Sequence, residues 1–141
     1  MKLILSILLS VIFIFLALLH FYWAAGGQWG KDAALPTRPD NTKAISPGSL
    51  STLFVASALS VAAVLVFTHA GIVNTRFAVA SFEYGLWIIS VIFFARAIGE
   101  FRYIGFFKKI RHTRFGRNDA KYYSPLSALI AILASILALM K

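Results

Sequence analysis

The chain has 141 residues, of which 60% are hydrophobic and 13% charged, with a net charge of +9. A soluble globular domain carries about 25% charged residues, so polar side chains are too few to solvate a surface and lipid is the expected solvent. The length fits one compact unit, residues 1–141, and a composition without cysteine excludes disulfides, thiol catalysis and thiolate metal sites.

A helix needs about 20 apolar residues to cross hydrocarbon, and four segments reach that length. The first, 3–23, carries no charge. Lys2 ahead of an apolar run resembles a signal peptide, but signal cores extend only about 7–15 residues. This run is longer and ends in Phe21, Tyr22 and Trp23, the aromatic type found at membrane interfaces, so it is read as a retained span. The connection 24–49 holds Gly26, Gly27, Gly30, Pro36, Pro39 and Pro47 and is expected to be irregular. The second span, 50–73, is uncharged, and the third, 78–98, carries Glu83 and Arg96. The fourth, 122–140, is again uncharged, with Pro125 in its first turn, where a missing N–H costs little. Helices apolar on every side belong in a membrane or a large core, and a chain this short builds no such core. The predicted fold is therefore all-α, an integral membrane four-helix bundle.

Small side chains suggest how the spans pack. Ser124, Ser127, Ala131, Ser135 and Ala138 form a stripe along the fourth. Ala56 with Ser60, and Ala58 with Ala62, repeat the spacing on the second. In lipid, small residues let backbones approach closely. The second and fourth spans are accordingly expected to pack most tightly, with alanine and serine as mere filler the plainer alternative.

Lysine and arginine set the orientation. Residues 24–49 and 96–121 hold eleven of them, against three (Lys2, Arg76 and Lys141) at the other ends of the spans. Loops 24–49 and 99–121 are therefore expected in the cytoplasm and both termini outside, with Lys2 alone arguing the other way.

Depth sorts the remaining polar residues. His20 lies about 25 Å along the first helix and Arg96 about 27 Å along the third, level with one another at the cytoplasmic end. His69 closes the second span on the opposite side, and Glu83 lies about 8 Å inside that face. A haem held by two histidines is excluded by this separation. A metal site of His20, His112 and Glu100 has no known ligand spacing, so no cofactor or metal is assigned. Glu83 is either a proton or cation site, as intramembrane carboxylates often are, or a shallow acid paired with His69. Arg96 and Glu100 stand one turn apart and are expected to pair, whether around a snorkelling arginine or toward an anionic ligand. Residues 101–117, FRYIGFFKKIRHTRFGR, fit an interfacial helix. Phe101, Ile104, Phe107 and Phe115 would form its apolar face, and Lys108, Lys109, Arg111 and Arg114 its basic face. At the edge of membrane spans such a pattern fits anionic lipid better than nucleic acid.

The segment HFYWAAGGQWG at 20–30, followed by Ala34, Leu35 and Pro36, is one signature-like run. RAIGEFRYIGFFK at 96–108, continued by Phe115, Asp119, Tyr123 and Leu126, is a second. Together they resemble the signatures of a bacterial membrane family catalogued as domain of unknown function 3995, and the similarity covers nearly the whole chain. The resemblance implies a small four-span protein of the bacterial cell membrane and brings no activity with it. Both runs fall on one membrane face by the charge argument. His20, Tyr22, Trp23 and Trp29, with Arg96, Glu100, Arg102, Tyr103 and Asp119, are thus expected to surround one ligand pocket. Gly26 and Gly27 would let backbone approach the ligand.

Three functions fit these residues. One is a binding protein for an anionic lipid or amphiphile at the cytoplasmic interface. A second is a membrane-embedded enzyme on a lipid-like substrate, with His20 and Glu100 as its acid/base pair. The third is a small proton-coupled transporter using Glu83. Expected partners are anionic membrane lipids and a second copy of the chain, and no nucleic acid.

Overall fold

The computed structural model describes residues 1–40, 42–73 and 79–140, with side chains in the last stretch from 84 onward. Arg76, the Glu83 side chain and Lys141 lie outside the described residues. The elements are α1 (Lys2–Ala24), α2 (Lys31–Ala34), α3 (Ser49–His69), α4 (Val79–Ile98), α5 (Arg114–Asn118), a π-helical turn (Asp119–Tyr123) and α6 (Ser124–Leu139). No strand forms among the described residues; Thr37 and Lys43 make an isolated bridge. The all-helical expectation holds. α1, α3 and the continuous helix Arg114–Leu139 are long and apolar enough to cross a membrane, and α4 contributes an apolar stretch at Tyr84–Ile98. Less than half of each of the three longer helices is buried. Phe15, Leu18, Phe54, Val61, Val91 and Ile132 stay exposed, an apolar exterior that suits hydrocarbon rather than water.

The long helices pair as α1 with α3 and α4 with α6. The expected tight packing of α3 on α6 is therefore corrected. The α6 stripe is real, since Ser127, Ala131 and Ala138 are buried, but it faces α4. Ser90 of α4 supplies the reason: its hydroxyl lies 3.1 Å from the Ala131 carbonyl and 2.6 Å from Ser135 Oγ, contacts that need two backbones close together. Between the pairs sit Leu9, Phe13, Leu59, Val66, Leu86 and Ile130, and Phe13 meets Phe93 at 5.7 Å between centroids.

Helix ends differ from expectation where glycine intervenes. α3 stops at His69, short of residue 73, because Gly71 takes φ +76 and the Gly71 and Ile72 amides turn back onto Thr68 and Phe67, a glycine-dependent helix stop. Residues 99–113 form no interfacial helix. Gly99 (φ +83) and Gly105 (φ +92) cross so closely that a Cβ on either would strike the backbone beside the other. The loop between them folds back, with Lys109 N donating to Phe101 O and Ile110 N to Arg102 O. Helix resumes only at Arg114, where Thr113 Oγ1 accepts from the Gly116 amide at 3.0 Å. Pro125 then lies inside a continuous helix. Lacking an N–H and crowding the Lys121 carbonyl, it follows a π turn whose closing bond runs from Ser124 N to Asp119 O.

Candidate functional site

Asp119 begins the π turn and is fully buried. Its Oδ1 accepts from Arg96 Nη2 at 3.0 Å. Its Oδ2 accepts from Lys108 Nζ at 2.8 Å, the Gly105 amide at 2.9 Å and Ser124 Oγ at 2.9 Å. Four donors, two of them cationic, suit an ionised carboxylate, which can only accept. The cluster ties α4, the 99–113 loop and α6 together. It also carries one positive charge in excess, since Arg96 and Lys108 face a single acid.

Two expectations change here. Arg96 pairs with Asp119, not Glu100. α4 ends at Ile98, so the helical one-turn spacing never reaches Glu100, whose Oε1 accepts from the Tyr103 amide at 3.1 Å. Lys108, placed on an exposed basic face, is buried instead, its ammonium also donating to Gly105 O at 3.0 Å. Nothing in the sequence pattern distinguished it from Lys109; only the 99–113 fold-back brings it to Asp119.

Arg96 also borders a cavity of about 360 Å³ between the helix pairs. Leu16, Val55, Leu59, Phe93, Leu126 and Ile130 make much of its wall, and His20, Trp23, Tyr123 and Ser127 its polar part. Arg96 Nη1 is buried and has no hydrogen-bond partner among the described residues. His20 sits half-buried in the last turns of α1, with Nδ1 2.7 Å from Leu16 O and its ring edge-on to Trp23 at 5.1 Å. A smaller space of about 180 Å³ shares His20, Trp23, Ala34 and Val55 and reaches Lys31, Pro47 and Ser51.

The nine expected site residues thus divide into three groups. His20, Trp23 and Arg96 share the cavity, with Asp119 behind Arg96. Tyr22 and Trp29 hold the end of α1 and its following loop: Trp29 N donates to Tyr22 OH at 3.3 Å, and Trp23 Nε1 donates to Trp29 O at 2.8 Å. Gly27 makes room for the Tyr22 ring rather than for a ligand. Glu100, Arg102 and Tyr103 lie on the opposite loop, where Arg102 stacks on Tyr103 at 5.2 Å beside Arg38 and Asp40. The His20–Glu100 acid/base pair is not assembled: Glu100 does not line the cavity, and the hydrogen bond His20 makes goes to its own helix. No cluster of three or more His, Asp or Glu forms among the described residues.

The two polar loops meet. Tyr123 OH donates to Ala33 O at 3.2 Å, and α2 packs on α5. Within the first loop, Lys43 bonds Asp32 at 2.9 Å and holds that exposed carboxyl below its usual range. Tyr123 and Ser127, absent from the expected ligand site, belong to the cavity. The one signal for Tyr123 was its place in the second signature, and Ser127 stood out only as part of the small-residue stripe.

A family model described as Protein of unknown function (DUF3995) matches residues 13–134. No curated protein and no solved structure matches the chain.

Proposed function

The chain belongs to the DUF3995 family, whose description assigns no activity, and we propose from the cavity that it is a membrane-embedded binding protein for an amphiphile with one anionic head and one chain. One observation carries this reading: Arg96, part of the Asp119 cluster with its one positive charge in excess, borders an otherwise mainly apolar cavity. An anionic group in the cavity would balance that charge where little water screens it. The excess positive charge around Asp119 favours the same ligand. Arg102, which stacks on Tyr103 away from the cavity, takes no part in holding it.

Size narrows the ligand further. At roughly 30 Å³ per water-sized group, the 360 Å³ space takes about a dozen heavy atoms. That suits a single medium-length chain. In the bacterial cell membrane, with loops 24–49 and 99–121 in the cytoplasm, the head group would sit at the cytoplasmic interface.

Calorimetric titration of the detergent-purified protein with dodecanoate tests the proposal. Saturable binding is expected, weakened about tenfold or more by Arg96→Gln and blocked by Ser127→Leu, which fills the cavity with apolar atoms. Because Arg96 also bonds Asp119, the Ser127 variant separates loss of the site from loss of the cluster. No saturable binding by the wild-type protein, with no amphiphile retained in native mass spectra, would refute the reading.

A further inference from the structure

The two polar loops enclose a second, largely polar cleft of about 520 Å³, apart from the amphiphile cavity. Arg38, Pro39, Asp40 and Ala44 line it from the first loop, and Arg102 and Tyr103 from the second. Each loop fixes the backbone that carries its arginine. Arg38 N donates to Thr42 O and Ala44 N to Pro36 O, both at 2.8 Å, around the Thr37–Lys43 bridge. Arg102 O accepts from Ile110 N at 3.0 Å, and its guanidinium lies over the Tyr103 ring. Both arginines are exposed.

Other arginines donate inward: Arg96 to Asp119, Arg111 to the Lys108 and Phe106 carbonyls, and Arg117 to the His112 carbonyl. The guanidinia of Arg38 and Arg102 make no hydrogen bond or salt bridge among the described residues, so one cleft holds two open sets of donors. Asp40 is the acid on its wall. Asp40 Oδ1 accepts from the Thr42 hydroxyl at 2.6 Å and the Thr42 amide at 3.0 Å. These bonds, with the Arg38 charge adding to them, hold the carboxyl below its usual range. It is therefore ionised at neutral pH, and the wall carries two positive charges against one negative.

A phosphate group suits this wall. Guanidinium meets phosphate through paired N–H···O bonds, and a tetrahedral group can turn different oxygens toward each loop. A phosphodiester, with a single negative charge, balances the net charge of the wall. A monoester carries about −1.5 to −2 near neutral pH and leaves an excess beside Asp40. At roughly 30 Å³ per water-sized group, the cleft takes about seventeen heavy atoms, enough for the groups esterified on either side.

We propose that Arg38 and Arg102 clamp a phosphodiester between the two polar loops, at a site independent of the amphiphile cavity. Arg102 follows closely on the end of α4 at Ile98, next to the exposed Phe101, so a membrane phospholipid is within reach, as is a soluble diester.

Calorimetric titration of the full-length protein in neutral detergent at low ionic strength, where exposed charges are least screened, would compare dihexanoyl phosphatidylglycerol, glycerophosphoglycerol and inorganic phosphate. Saturable binding of the phospholipid is expected, with inorganic phosphate weaker. Arg38→Gln and Arg102→Gln should each weaken it about fivefold or more, the worth of a charge-assisted hydrogen bond at an exposed site. Asp40→Asn, which keeps the oxygen that Thr42 uses, should tighten it. Dodecanoate affinity should stay within a factor of about two in all three variants, so the cleft is judged by the phosphates and the cavity by dodecanoate. Glycerophosphoglycerol has no chains to enter the cavity. Affinity equal to the lipid's assigns a soluble diester, while tighter binding of the lipid, lost in the arginine variants, assigns the membrane. The proposal is overturned if neither diester binds, if inorganic phosphate binds more tightly than both, or if binding is unchanged in both arginine variants.

Discussion

A carboxylate withdrawn from solvent needs its charge matched and its lone pairs filled, and Asp119 meets both needs through Arg96, Lys108, Gly105 and Ser124. Removing one partner of a buried pair costs about 3–5 kcal/mol, because the group left behind stays charged and buried. Asp119→Ala strands two cations, whereas Lys108→Met leaves Asp119 still paired with Arg96. Thermal unfolding in detergent is accordingly expected to show a markedly larger loss for Asp119→Ala, and equal losses would deny the carboxylate its central place. Gly105→Ala should also destabilise, by about 2 kcal/mol or more, since left-handed backbone alone costs about 1–2 kcal/mol for a residue with a Cβ and the new carbon meets the Ile98 carbonyl. At this scale the sequence is only partly legible. His20 and Arg96 stand out by type and depth and Asp119 by its place in the second signature, but the pairing of Arg96 does not: Glu100 has the tempting spacing and the helix ends before it. The contact of Lys108 with Asp119 depends on a loop path that no periodicity encodes.

Periodicity encodes elements better than it encodes their neighbours. The α6 stripe is visible as a run of small residues, yet small residues on α3 are equally visible, and nothing in spacing alone chooses between α3 and α4. Ser90 makes the choice, through one hydroxyl shared between Ala131 and Ser135. Side-chain hydrogen bonds between membrane helices average about 0.6 kcal/mol and reach about 1.7, so Ser90→Ala should cost no more than that. Ser90→Leu should cost more, because it separates the two backbones along the whole seam. Unfolding titrations that rank leucine with alanine would show that close approach contributes nothing here. Pro125 shows the same limit. Its position near the start of α6 is readable, whereas the helix that already runs from Arg114 is not, since Gly116 and the charges around it resemble a loop. The π turn reconciles the two by dropping the bond the proline cannot make, and it leaves Asp119 and Tyr123 at its two ends.

For the molecule as a whole, two independent arguments place the polar loops together. One is charge: eleven lysines and arginines against three, a bias that sets orientation during insertion. The other is contact: Tyr123 OH reaches Ala33 O, and Arg38 and Asp40 share a cleft with Arg102 and Tyr103. Contact alone demands a common side but not which side, while the charge rule predicts the cytoplasm. Reporter fusions after Gly27 and after Lys109 test the two separately. Both are expected to be active with a cytoplasmic reporter and silent with one that needs export, and a fusion after Met140 should give the reverse. Opposite results for Gly27 and Lys109 would break the Tyr123–Ala33 contact and with it the cavity that His20 and Arg96 share. Matching results on the outer side would leave the cavity intact and turn its head-group end away from the cytoplasm, so that ligand would be drawn from the outer leaflet.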